Sequence, residues 1–165
     1  MTSEPTAATG RREPDDRAAP DYAQRAPYRF FHALRVRWAE VDKQDIVFNG
    51  HYLTYFDVAI TEYWRAIGVP YPAITGRWGS DLFVVKAGIE YHAPAHYDDV
   101  LDLGVAVARI GNSSLRFAVG IFRGEEHLIG GELIYVNADP QTRRPVTVPD
   151  ALRELIGDFE RRAPR

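Results

Sequence analysis

Cysteine is absent from all 165 residues. That removes disulfides, thiolate metal sites and a cysteine nucleophile from consideration. No apolar run approaches the ~18 residues that a membrane-spanning helix requires, so no membrane partner is expected. An excess of basic charge is missing too. The 20 Lys and Arg stand against 23 Asp and Glu, for a net charge of -3, which offers no electrostatic case for nucleic acid. Internal repeats are lacking, and so are low-complexity blocks beyond the N-terminal region.

What is present is the composition of a globular chain: 45% hydrophobic, 12% aromatic and 26% charged. One folded domain is the expectation at this length. Residues 1–27 read as a disordered tail, interrupted by Pro5, Pro14, Pro20 and Pro27 and mixing Arg11, Arg12 and Arg17 with Asp15, Asp16 and Asp21. Too few large apolar residues lie there to offset the entropy of ordering. No apolar h-region of a secretory signal is seen, and a cytoplasmic location is expected.

From residue 28 the patterning is regular. Leu34, Val36 and Trp38 alternate with Arg35 and Arg37, which predicts a half-buried strand over Phe31 to Trp38. Tyr52, Phe56, Ile60, Tyr63 and Ile67 recur at helical spacing, so a helix is expected over Gly50 to Ile67, with Gly68 as its stop and Pro70 and Pro72 beyond. Leu53, Val58, Ala59 and Trp64 extend its apolar surface so far around that other structure should wrap it. Four strands are expected next, over Phe83 to His92, Val100 to Ile110, Ser114 to Arg123 and Leu128 to Asn137. Gly130-Gly131 suggests a bulge or a close backbone approach. A short amphipathic helix closes the chain from Pro149 to Arg161. Short turns between strands favour antiparallel pairing, with the long helix buried against one sheet.

The stretch from Arg35 to Gly68 carries the most chemistry. Asp42 lies in a turn just before a helix that begins near Asn49-Gly50-His51. Free N–H groups and a partial positive charge collect at a helix N-terminus, where a carbonyl could be polarised beside a carboxylate. From the pattern alone Asp42 is open to two roles, a solvated turn or capping residue and a catalytic acid. Asn49 is equally open as a helix cap. His92 and His96 are four apart, but Pro94 between them breaks the helical spacing of a metal pair, and no metal is expected. Ser113 lacks the G-x-S-x-G context of a serine hydrolase.

Two segments in this order resemble the hotdog-fold thioesterases of the 4-hydroxybenzoyl-CoA thioesterase-like group. The first is Asp42-Lys43-Gln44-Asp45-Ile46-Val47-Phe48-Asn49-Gly50-His51-Tyr52. The second is Ile89-Glu90-Tyr91-His92-Ala93-Pro94-Ala95-His96-Tyr97-Asp98-Asp99. Ser113-Ser114 after Gly111-Asn112 adds to the likeness, which runs from about Tyr28 to Asp139 and takes in the terminal helix. The resemblance implies an α+β hotdog fold over residues 28–165, an antiparallel sheet wrapped around one long central helix. It also implies a homodimer or dimer of dimers with sites between subunits.

The resemblance further implies hydrolysis of an acyl-CoA or acyl-carrier thioester, with no cofactor beyond the coenzyme A of the substrate. Asp42 would be nucleophile or general base, and the backbone N–H of Asn49 or Gly50 would polarise the carbonyl. Phe48, His51 and Tyr52 become candidates for substrate contact. Arg109, Ser113, Ser114 and Arg116 become candidates for the phosphates of coenzyme A. Trp38, Phe48, Tyr52 and Phe56 would permit an aromatic or medium aliphatic acyl group. One departure stands out: the family's usual glycine three residues after the acid is Asp45 here. A glycine there would permit a positive φ or a close approach to the ligand, whereas Asp45 adds a charge that either raises the pKa of Asp42 by repulsion or points to solvent. Asp57 and Glu62 on the helix are expected to be solvated or hydrogen-bonded. A non-catalytic acyl-thioester binding module and a hotdog dehydratase are the alternatives.

Overall fold

The computed structural model describes residues 20–161. The elements are β1 (Phe30–Arg35), a single 3-10 turn (Trp38–Glu40), α1 (His51–Ala66), α2 (Tyr71–Trp78), β2 (Asp81–Tyr91), β3 (Val100–Ile110), β4 (Ser114–Arg123), β5 (Glu126–Ala138) and α3 (Asp150–Arg161). The strands form one antiparallel sheet in the order β1-β3-β4-β5-β2. Successive hairpins join β3, β4 and β5, while β2 sits at one edge and β1 at the other.

Alternation along the strands decides which face meets the helix. Leu101, Leu103 and Val105 of β3 and Leu115, Phe117, Val119 and Ile121 of β4 share a core with Tyr52, Tyr55, Phe56, Ala59, Ile60, Tyr63 and Trp64 of α1. The hotdog arrangement results: a sheet curved around one long helix. Gly131 makes the close approach that its sequence suggests. A Cβ there would lie 2.1 Å from Cε2 of Phe56, so only glycine lets the ring settle on β5. The helix stops where expected. Gly68 has φ 84°, its N–H bonds the Arg65 carbonyl, and Val69 N–H bonds the Trp64 carbonyl, the paired bonds of a glycine-terminated helix. At the other end of the chain, Glu160 of α3 accepts hydrogen bonds from the Tyr63 hydroxyl at 2.7 Å and from Val107 N–H at 2.9 Å. That ties α3 to both α1 and the sheet.

Three expectations need correction. The first strand ends at Arg35, and Trp38 is 76% exposed rather than part of an alternating row. Glu40 accepts the Arg37 N–H and turns the chain out of extended geometry. A second helix, α2, stands where Pro70 and Pro72 suggested a loop. Pro72 falls in its first turn, where the missing N–H has no intrahelical partner to lose. The folded part also begins earlier than residue 28. Residues 20–27 form turns against the outer face of the sheet, and the remainder of the expected tail lies outside the described residues. Tyr28 occupies a trough there that exists because Gly104 and Gly120 lack side chains, and its hydroxyl donates to the Tyr22 carbonyl at 2.9 Å.

Candidate active site

Between Glu40 and Phe48 the chain folds back on itself. Asp42 N–H bonds the Ile46 carbonyl at 2.9 Å, Val41 bridges Val47, and Phe48 N–H bonds the Glu40 carbonyl at 2.9 Å. The outer side of this loop is stitched to the corner after β2 by Val47 N–H on the Ala95 carbonyl, 2.9 Å, and by the Ile46–His96 bridge. The loop therefore delivers the chain to the start of α1 on a fixed path.

Asp42 sits at the head of the inner turn, half-buried. Its Oδ1 accepts the Gln44 N–H at 2.7 Å, which fixes the rotation of the carboxylate. Oδ2 has no protein donor among the described residues. Asp45 N–H returns to the Asp42 carbonyl at 3.0 Å, and Asp45 has φ 59°. The position thus demands the left-handed backbone that glycine supplies most easily, and aspartate meets that demand better than most side chains. Asp45 is exposed, so its charge faces solvent.

Phe48, Asn49, Gly50 and His51 form the turn that opens α1, closed by His51 N–H on the Phe48 carbonyl at 2.9 Å. Gly50 is the N-cap residue, and no side chain caps this end of the helix. Phe48, Asn49 and Gly50 are exposed, with the Phe48 ring edge-on to His51. Tyr52 and Phe56 are buried in the core cluster. Tyr52 is buried, and its hydroxyl accepts the Ala95 N–H at 3.1 Å. Asp57 is exposed, and Glu62 pairs with Arg65 on the helix surface.

Arg109, Ser113, Ser114 and Arg116 are not brought to Asp42 within one chain. They cluster around the β3–β4 turn, whereas the Asp42 loop packs beside the Val100 end of β3. Ten residue steps of strand, roughly 33 Å, separate the two ends. Arg116 is already paired with Glu132.

A residue that sequence patterning does not single out organises the loop. Glu40 is 4% exposed. Its carboxylate accepts the Arg37 N–H at 2.7 Å, the Arg37 guanidinium through Nε at 2.8 Å, and the Tyr55 hydroxyl at 2.7 Å. Burial alone would push this carboxyl up. The Arg37 and Tyr55 hydrogen bonds outweigh it and hold the group below its ordinary value. Burial and the same carboxylate drive the Tyr55 phenol far upward, so it stays a donor. Only the Arg37-to-Glu40 spacing hints at this; the Tyr55 partner lies fifteen residues on.

A groove of about 740 Å³ runs over the outer face of the sheet, lined by Tyr22, Lys86, His92, Arg116, His127 and Glu132 among others. No residue of the Asp42–His51 loop lines it.

A model of the thioesterase superfamily matches residues 44–129, just over half of the chain, beginning two residues after Asp42. The chain belongs to the thioesterase superfamily. A relative from Aquifex aeolicus is 30% identical over 129 residues, covering 78% of this chain and 98% of its own. An acyl-CoA thioester hydrolase, YbgC, of Escherichia coli is 27% identical over 129 residues, 77% of this chain and 92% of its own. Among solved structures, a 1,4-dihydroxy-2-naphthoyl-CoA thioesterase from Synechocystis superimposes with a TM-score of 0.73 at 18% identity, over 81% of this chain and 98% of that one. By family, then, this is a hotdog thioester hydrolase.

The Glu40 joint has a measurable signature. Glu40→Gln should cost about 1.5–3 kcal/mol of stability at pH 7, since it removes charge-assisted hydrogen bonds from a buried site. The folded-state carboxyl is held low, so its contribution is present above the ordinary carboxylate range and is lost as pH falls through the folded value. Denaturant unfolding of both proteins should show the gap closing as pH drops below about 4. A gap independent of pH would show that the Glu40 charge is not what matters.

Proposed function

We propose that this chain hydrolyses acyl-CoA thioesters at the Asp42 loop. Asp42 either attacks the thioester carbonyl carbon or removes a proton from the water that does. The carbonyl oxygen, gaining negative charge, lies against the N–H of Gly50 or Asn49 at the start of α1. Collapse expels the coenzyme A thiolate, which takes up a proton; where Asp42 is the nucleophile, water then cleaves the acyl–Asp42 anhydride, and on either route the products are a carboxylic acid and free coenzyme A. The observation that carries this reading is the carboxylate rigidly held at the head of a hydrogen-bonded loop that runs straight into an uncapped helix N-terminus. An N–H donor placed there is worth roughly 10²–10³ in rate. Phe48 and Trp38 are the exposed aromatics left to meet the acyl group once Tyr52 and Phe56 are assigned to the core. A cytoplasmic setting belongs to the same proposal.

The active unit in this proposal is a dimer joined through β2. This eleven-residue edge strand exposes Val84 (51%) and Val85 (60%), an apolar edge that invites pairing. Antiparallel pairing of β2 with its copy would place the Asp81 end of one strand beside the Tyr91 end of the other. Asp81 pairs with Ala138 of β5, and Ser114 of β4 pairs with Val136. The partner's Ser113, Ser114 and Arg116 would then lie about three strand spacings, roughly 15 Å, from this chain's Asn49 end. That is within reach of an extended coenzyme A arm, so these three residues, which one chain holds apart from Asp42, would be supplied by the other.

Two measurements check these statements. Thiol release from an acyl-CoA panel, followed with a thiol-reactive dye, should fall by roughly 10²-fold or more in Asp42→Asn. The protein contributes no thiol of its own. Undiminished release would remove Asp42 from the reaction. Sedimentation equilibrium at micromolar concentration should return an even multiple of 18.7 kDa. A monomer that is fully active would contradict the shared site.

A further inference from the structure

Tyr91 ends β2, paired with Ile129 of β5, and its side chain is 55% exposed. Its ring stands edge-on to that of Tyr52, 5.8 Å between centroids, and Tyr52 is itself fixed by the core and by Ala95 N–H. From that seat the Tyr91 hydroxyl donates to the Asn49 carbonyl at 3.3 Å. No other donor to this carbonyl is found among the described residues.

The Asn49 carbonyl and the Gly50 N–H belong to one peptide unit. In a trans peptide they point in opposite directions, so whatever anchors the carbonyl also aims the N–H. This peptide is the central one of the four-residue turn Phe48-Asn49-Gly50-His51, closed by His51 N–H on the Phe48 carbonyl. Gly50 has φ -67° and ψ -24°, the arrangement of a type I turn. A half-rotation of the central peptide converts such a turn to type II and reverses the N–H. The type II form needs positive φ at the third residue, which glycine accepts without penalty. With Gly50 there, local geometry does little to choose between the two. The Tyr91 hydroxyl does.

We propose that Tyr91 is a positioning residue, holding the Asn49–Gly50 peptide so that the Gly50 N–H faces the reacting carbonyl. This rests on the reading of the Asp42 loop as the thioesterase site. Tyr91 touches neither substrate nor water in the reaction; it acts through the peptide.

Tyr91→Phe keeps the ring against Tyr52 and deletes only the hydroxyl. On a hydrolysed acyl-CoA ester, kcat should fall about tenfold, a part of the 10²–10³ that a lost donor costs. KM, the affinity for a non-hydrolysable thioether analogue, and Tm should be unchanged. The second variant is a rescue. Alanine at Gly50 disfavours positive φ and so opposes the flipped turn. Its Cβ would meet only the far edge of the exposed Phe48 ring, at 3.0 Å. Tyr91→Phe with Gly50→Ala should therefore recover most of the lost kcat. An unaltered kcat in Tyr91→Phe overturns the proposal, and so does a loss that Gly50→Ala leaves in place. A wild type inert on every ester of the panel would sink the thioesterase reading and this role with it.

Discussion

The buried carboxylate of Glu40 is the interaction on which the arrangement of the site depends. One oxygen takes the Arg37 N–H and the Tyr55 hydroxyl, and the other takes the Arg37 guanidinium, while the Glu40 carbonyl takes the Phe48 N–H. Three pieces of chain meet there: the segment just after the first strand, the second turn of α1, and the segment that opens α1. Each satisfies a polar group that would be costly if buried alone. Asp42 lies two residues beyond Glu40, and Asn49 is one residue beyond Phe48. The distance and orientation between acid and helix N-terminus are therefore set by a joint that takes no part in the chemistry.

The larger fold serves the same end. The sheet curls around α1 because alternate residues of β3 and β4 face a helix that is apolar on most of its surface, and glycine at 131 lets Phe56 come down onto β5. The helix axis is thereby immobilised by packing. Its N-terminus is left uncapped by any side chain, and the residues that lead into it, Phe48, Asn49 and Gly50, are exposed. Donors that a surface helix would lose to a serine or aspartate cap remain available. The left-handed backbone at Asp45 closes the inner turn, and the corner after β2 holds the loop from outside.

Much of this is legible in the residues. The apolar rows of β3, β4 and α1 are periodic, so their existence and buried faces can be inferred from spacing, and Gly68 and Gly131 carry their structural roles openly. The Asp42 loop is recognisable because its residue types and order resemble a known family. Information held between distant segments escapes a reading of the chain alone. Glu40 looks like any surface glutamate until Tyr55 is brought over it, and Tyr91 looks like an edge-strand aromatic until the fold sets it beneath Asn49. Pro70 and Pro72 suggest a stop because a proline in the first turn of a new helix and a proline just past the end of an old one sit in the same local pattern. Tyr52 and Phe56 share the helical stripe of the core, so spacing alone does not separate core from pocket.

The central claim is that the thioester carbonyl is held between Asp42 and the N-terminus of α1. A crystal structure with an unreactive acyl-CoA analogue, its sulfur separated from the carbonyl by a methylene, tests it most directly. The account predicts the ketone oxygen within hydrogen-bond distance of the Gly50 or Asn49 N–H, with the Asp42 carboxylate facing the carbonyl carbon. The analogue bound instead in the groove over the outer sheet face, beside His92 and His127, would contradict it.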